Sequence, residues 1–211
     1  MDQTQPGTFS DLARTRLKGV LDAIALFLDG LGVTPDMLTL AGFGGHVLGA
    51  ILVGLGRLSA AGFVLLFLAP LDSLDGSLAR LRGEPSKFGA FLDSVVDRYS
   101  EMLLFAGFLV YFLRRFDQDM ALWVFAAAAG SLLVSYTRAR GEALGFEVRR
   151  GLLTRLERYL IIIPILILSS IPTPILTIPK FGIIIIALLA NFTAVQRFLH
   201  VRRQAQNRDS F

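Results

Sequence analysis

The chain has 211 residues, 54% hydrophobic and 18% charged, with a mean hydropathy of +0.60. This composition excludes a water-soluble bundle, because runs such as IIIPILILSS and FGIIIIALLA leave too little polar surface to cover it. The chain has no cysteine, so disulfides, thiolate nucleophiles and thiolate metal sites are excluded, and the formal charge of +4 is read below as membrane topology.

Residues 1–10 read as a polar tail. In residues 11–30, Leu17, Val20, Leu21, Ile24 and Leu28 share one helical face while Lys18, Asp22 and Asp29 lie elsewhere. That pattern predicts an amphipathic helix lying in the cytoplasmic interface. No small-residue cleavage pattern accompanies this first apolar run, so it is not read as a signal peptide. In GVTPD, Thr34 is the expected cap and Pro35 a first-turn residue of the following helix. Six apolar stretches then reach or approach membrane-spanning length: 37–54, 58–79, 99–113, 120–137, 159–171 and 175–195. Gly42, Gly45 and Gly49 in the first favour close helix contact, and His46 among them reads as a packed polar residue. Pro164 falls inside the fifth stretch, and Pro172, Pro174 and Pro179 cluster before the sixth.

With six spans and a cytoplasmic N-terminus, sixteen Lys and Arg residues fall on the cytoplasmic side, besides Arg98 at the edge of the third stretch. Only Arg57, Arg114, Arg115 and Lys180 fall on the other. This bias supports an even number of spans and cytoplasmic termini. The basic residues therefore mark topology and anionic headgroups, and no surface is left over for nucleic acid. The expected fold is an all-α integral membrane bundle of six transmembrane helices with an N-terminal interfacial amphipathic helix. Its parts are residues 1–32 (tail and amphipathic helix), 33–200 (membrane domain) and 201–211 (cytoplasmic tail).

Four aspartates interrupt this apolar plan. Asp72 and Asp75 are three residues apart at the cytoplasmic end of the second stretch, and Asp93 and Asp97 are four apart near the start of the third. Each pair shares a helix face, and the two consecutive antiparallel helices can turn the pairs toward one another. Four gathered carboxylates repel and raise one another's pKa unless a cation sits among them, and hard oxygen ligands suit Mg²⁺ or Mn²⁺, one ion or two. Gly76 and Gly89 leave room for a bulky ligand beside them. Such an interfacial site suits phosphoryl transfer, with one aspartate taking a proton from an attacking hydroxyl. A non-catalytic ion-binding protein or transporter is the reading from another class, but it would want its carboxylates at the membrane midplane.

The stretch DSLDGSLAR at 72–80, followed by Gly89, Asp93 and Asp97, carries the spacing D-x2-D-G-x2-A-R-x8-G-x3-D-x3-D, eight fixed residues over 26 positions. It resembles the signature of the CDP-alcohol phosphatidyltransferases. TPDMLT at 34–39 resembles that family's TPN-x-[LIV]-T segment, with Asp36 where Asn is commoner. The likeness extends over about residues 13–200. It implies displacement of CMP from a CDP-linked lipid by an alcohol, two divalent ions (Mg²⁺ or Mn²⁺) held by Asp72, Asp75, Asp93 and Asp97, and Asp97 as general base. It also implies a CDP-lipid pocket lined by Thr39, Gly76, Ala79 and Arg80, and a homodimer in the cell membrane with its active site facing the cytoplasm.

SYTRARGEALG at 135–145 and GLLTRLERY at 151–159 bring Arg138, Arg140, Arg155 and Arg158 to the same side. Arginine's planar fork matches phosphate, which suggests an acceptor that itself bears one. These segments resemble those of the prokaryotic phosphatidylinositol phosphate synthases and the archaeal archaetidylinositol phosphate synthases, with Gly141 where Ala is usual. The resemblance implies CDP-diacylglycerol as donor and inositol 1-phosphate as acceptor. Arg138, Arg155 and Arg158 would hold the acceptor phosphate, with Arg197 a fourth contact. Glycerol 3-phosphate is the alternative acceptor.

Overall fold

The computed structural model describes residues 22–68, 70–83, 87–148, 151–169 and 177–208, without the side chains of Asp72, Ser73, Thr177 and Arg208. Residues 11–21 of the expected amphipathic helix, Arg149, Arg150, Pro172 and Pro174 lie outside the described residues.

All regular secondary structure among the described residues is helical. Helix α1 covers residues 22–30. Then follow α2 (Pro35–Gly54), α3 (Leu58–Leu68), α4 (Leu71–Leu81), α5 (Lys87–Leu113), α6 (Gln118–Ala143), α7 (Arg155–Leu168) and α8 (Thr177–Arg208). Helix α2 starts where the sequence predicts. Thr34 Oγ1 accepts from the Met37 amide at 3.3 Å, and Pro35 occupies the first turn, where its missing N–H leaves nothing unsatisfied.

Two boundaries differ from the hydropathy reading. The stretch 58–79 belongs to two helices, α3 and α4, with Pro70 between them. Proline has no N–H for the helix ladder and its ring crowds the carbonyl four residues back, so one helix ends and the next begins. Asp72 and Asp75 therefore lie at the start of a separate helix. Helix α5 begins at Lys87, twelve residues before the apolar stretch at 99, and its 27 residues give a rod of roughly 40 Å. Its first half is amphipathic and lies outside the hydropathy stretch, and it carries Asp93 and Asp97 on its own cylinder, as their four-residue spacing predicts.

The packed pairs close a ring: α2 on α5, α5 on α6, α6 on α8, α8 on α7, α7 on α3 and α3 on α2, with α4 resting on α2. Helix α2 is thus the common backing of α4 and α5. The main core inside the ring contains Leu65, Leu104, Phe105, Phe108, Phe112, Ile162, Leu166, Ile183 and Ile186. Close approach of α5 to α2 depends on Gly107, where a Cβ would strike the Ala50 backbone. A smaller core of Ala25, Leu38, Leu74 and Leu78 lies beneath α1. There Arg82 ties the α1 end to α4, pairing with Asp29 at 2.6 Å and donating to the Val33 carbonyl at 3.0 Å.

Helices α2, α6 and Ile178–Asn207 of α8 are long and apolar enough to cross a membrane, and α3 is a shorter apolar helix. Phe67, Leu122, Phe125, Phe181 and Phe192 are exposed on the outside of the bundle. A belt of large exposed apolar side chains is what a lipid-facing surface requires.

Candidate active site

Asp75, on α4, is 6% exposed. Thr39, on α2, donates from Oγ1 to Asp75 Oδ2 at 2.6 Å, and the Pro35 carbonyl lies 3.2 Å from the same hydroxyl. A hydroxyl has one proton, and the shorter contact to a charged acceptor takes it. The Gly76 amide donates to Asp75 Oδ1 at 2.5 Å, so both carboxylate oxygens are oriented. The Arg80 guanidinium lies over Gly76, with Nη1 3.4 Å from where a Cβ would be, and Nη2 donates to Ser77 Oγ at 3.0 Å. Ala79 is partly buried beside them. Four residues expected around the donor lipid, Thr39, Gly76, Ala79 and Arg80, thus surround Asp75 or flank it on α4.

On α5, Asp93 and Asp97 are both partly buried. Asp97 forms an ion pair with Arg155 Nη1, which brings the first turn of α7 to the aspartate helix. The Arg155 guanidinium also stands 5.3 Å from the Tyr159 ring centroid. Arg155 is at the start of α7 because Thr154 and Glu157 form a capping box there.

One turn deeper, Arg158 meets Glu101. Nε lies 2.5 Å from Oε1 and Nη2 lies 2.9 Å from Oε2, while Nη1 donates to the Leu153 carbonyl at 3.1 Å. Arg158 is 1% exposed. The sequence groups Arg158 with the acceptor ligands, but in the structure its fork faces Glu101 and the backbone. Burial of a guanidinium requires such a partner, and the partner is an acid the motif reading left out. Glu101 continues the spacing of Asp93 and Asp97 by four more residues, and an acidic residue inside the apolar stretch 99–113 is the signal that could have found it.

Arg197, on α8, is also buried; its Nη1 donates to the Val134 carbonyl at 2.5 Å, and Nε would lie 3.0 Å from a Cβ at Gly151. Arg138 and Arg158 act on it as neighbouring cations, with Glu142 and Glu157 as opposing charges. Arg138 itself is exposed and pairs with Glu142 at 2.8 Å. Arg138, Arg158 and Arg197 therefore lie within electrostatic reach of one another on α6, α7 and α8, and these three and Arg155 are each held by an acid or a carbonyl. Gly141 has a local reason: a Cβ there would strike Val148, which is fully buried. His46 is likewise buried, with Nδ1 2.8 Å from the Gly42 carbonyl and its ring edge-on to Tyr159.

Among the described residues, which leave out the Asp72 side chain, no three His, Asp or Glu side chains converge closely enough to hold a metal ion. The donor chemistry of the signature set is carboxylate oxygen alone, which fits a hard divalent cation.

Residues 32–199 match the CDP-alcohol phosphatidyltransferase family, and the chain belongs to it. It is 33% identical to the phosphatidylinositol phosphate synthase of Streptomyces avermitilis, over 94% of this chain and 84% of that one. It is 34% identical to the archaetidylinositol phosphate synthase of Pyrococcus horikoshii, over 92% and 96%. The crystal structure of the Mycobacterium tuberculosis phosphatidylinositol phosphate synthase with CDP-DAG bound superposes with a TM-score of 0.78 at 32% identity, covering 86% of this chain and 93% of that one. The same mycobacterial enzyme has also been crystallised with manganese and citrate, and that form has the same TM-score.

Proposed function

We propose that the protein transfers the phosphatidyl group of CDP-diacylglycerol to inositol 1-phosphate, giving phosphatidylinositol phosphate and CMP. The observation that carries this reading is the ion pair between Asp97 and Arg155, which sets a phosphate-matching fork beside the carboxylate proposed as base. Arg155, together with Arg138 on α6 and Arg197 on α8, receives the acceptor's phosphate. Asp97 takes the proton of the acceptor's free hydroxyl. The oxygen bonds to the lipid-bearing phosphorus while that phosphorus loses its bond to the bridging oxygen, which leaves with CMP. Thr39, Gly76, Ala79 and Arg80 line the cytidine diphosphate side. Two Mg²⁺ or Mn²⁺ ions held by Asp72, Asp75, Asp93 and Asp97 would supply neutralisation of the pyrophosphate charge.

The same reading takes α2, α3 with α4, α5, α6, α7 and α8 as six spans of the cell membrane, with the termini and the site on the cytoplasmic side. The Lys and Arg asymmetry supports that orientation. It also takes the enzyme as a homodimer, to be checked by mass measurement in mild detergent, where only monomer across a range of concentrations would reject it.

The test is competition between inositol 1-phosphate, free inositol and glycerol 3-phosphate in one assay with CDP-diacylglycerol and Mg²⁺. Inositol 1-phosphate is expected to win and free inositol to fail, because a site built for phosphate leaves its arginines unpaired when the phosphate is missing. Preference for glycerol 3-phosphate would overturn the acceptor assignment and keep the transferase chemistry.

A further inference from the structure

The acidic stripe of α5 and the basic turn of α7 meet as two rungs, Asp97 with Arg155 and Glu101 with Arg158, separated by four residues on α5 and three on α7. The rungs differ in environment. The outer pair is partly exposed, at 19% and 29% for Asp97 and Arg155. The inner pair is enclosed, at 3% and 1% for Glu101 and Arg158. Taking two charges out of water is costly, and apolar side chains of similar volume commonly serve stability as well. Geometry is what such a pair contributes and an apolar one does not. The guanidinium fork meets both carboxylate oxygens at 2.5 and 2.9 Å, and its remaining arm holds the Leu153 carbonyl at 3.1 Å.

The position of this pair in the ring is informative. Helix α5 packs mainly on α2 and α6, and α7 on α3 and α8. The aspartate helix and the arginine helix therefore meet through side chains across the ring, and the two ion pairs are the polar, directional part of that joint beside the shared apolar core. The Leu153 carbonyl belongs to the residue just before Thr154, whose capping box with Glu157 starts α7 at Arg155. A continuous chain of contacts thus runs from Glu101 through Arg158 and the Leu153 carbonyl to the turn that presents Arg155.

We propose that Glu101 is a positioning residue for the acceptor site: through Arg158 and the Leu153 carbonyl it sets the register of α7 on α5, and so places Arg155 beside Asp97. Arg158 acts with it as the middle link. This rests on the reading of Arg155 as the contact for the acceptor's phosphate. It differs from a direct ligand role for Arg158 in a measurable way. A ligand would act without Glu101, whereas two links of one chain lose their effect together, so removing both costs no more than removing either.

Two full-length variants, E101Q and the apolar pair E101L/R158M, test it with R158M as a third for comparison, each checked for thermal unfolding in detergent. E101Q keeps shape and part of the hydrogen bonding; E101L/R158M removes both charges and leaves none buried alone. In both, KM for inositol 1-phosphate is expected to rise, about tenfold or more in the apolar pair, with KM for CDP-diacylglycerol within about twofold of the parent and the unfolding temperature of the apolar pair unchanged or higher. The acceptor KM of R158M alone is expected to match or exceed that of the double variant. A parent-like acceptor KM in folded E101L/R158M would overturn the positioning role, and so would an equal rise in both KM values. Failure of the parent to use inositol 1-phosphate would reject the functional reading and the positioning role together, while a parent that uses it leaves the variants to decide this proposal alone.

Discussion

Thr39 Oγ1 lies 2.6 Å from Asp75 Oδ2, a hydrogen bond between α2 and α4 across 36 residues of sequence. It orients one oxygen of a carboxylate in the proposed metal set and leaves that carboxylate a defined lone-pair direction. Groups that orient a ligand in this way commonly change metal affinity by roughly 10–100-fold when removed. T39V is expected to weaken Mn²⁺ binding by about that factor, and T39S to stay near the parent. Titration of Mn²⁺ followed by electron paramagnetic resonance measures this apart from turnover.

Asp93 is proposed to contact the ions directly, so its replacement should be more severe. D93N is expected to insert and fold yet release no detectable CMP. Chelation by EDTA should silence the parent enzyme, with Mg²⁺ or Mn²⁺ restoring it. Full turnover by purified D93N would remove Asp93 from the set.

Arg155 pairs with Asp97, and its proposed acceptor contact is charge-assisted, worth roughly 1.5–3 kcal/mol. R155A should therefore raise KM for inositol 1-phosphate by about tenfold to a hundredfold and leave KM for CDP-diacylglycerol nearly unchanged. R138A should have a smaller effect, because Arg138 is exposed and already shared with Glu142. Steady-state kinetics with each substrate varied in turn distinguishes the two.

Gly107 faces the Ala50 backbone, which cannot rotate away as a side chain could. G107A is expected to destabilise the α2–α5 contact by about 1–3 kcal/mol, the usual range for overpacking. Because α2 backs both aspartate helices, activity should fall together with the unfolding temperature, and a melting curve in detergent beside a CMP assay checks both.

On the opposite end of the bundle, Lys180 Nζ lies 2.5 Å from Asp117 Oδ2, and Asp117 also caps α6 by accepting from the Met120 amide. The Lys180 hydrogen bond holds the Asp117 carboxyl below its ordinary value of 3.8, against the opposing effect of burial and with help from the Met120 amide. The folded pKa is the lower one, so the stabilisation is present above the unfolded value and is lost as pH falls through the folded value. K180M is expected to lower stability at neutral pH by at most about 1 kcal/mol, and its difference from the parent should vanish under strongly acidic conditions below 3.8. Melting temperatures across pH measure it.

Much of this protein is local and was legible in the chain. The helical class follows from apolar stretches that must satisfy their own backbone, and the Thr34–Pro35 start of α2 follows from residues adjacent in sequence. The eight-residue aspartate signature identifies the family because helical spacing turns fixed sequence intervals into fixed faces. Pro70 carried the break between α3 and α4, though a hydropathy window averages over one residue. The hydropathy stretch begins only at 99 because the first half of α5 is amphipathic, yet the four-residue spacing of Asp93 and Asp97 already set them on one helical face, and α5 does run from Lys87. What only the tertiary structure decided are pairings across the ring. Arg158 resembled a phosphate ligand by its motif, yet it meets Glu101 57 residues away, and Thr39 meets Asp75 through a shared backing helix. Sequence spacing determines which side chains share a face of one helix. Which acid a buried arginine takes depends on how the ring of helices closes, and no local pattern contains that.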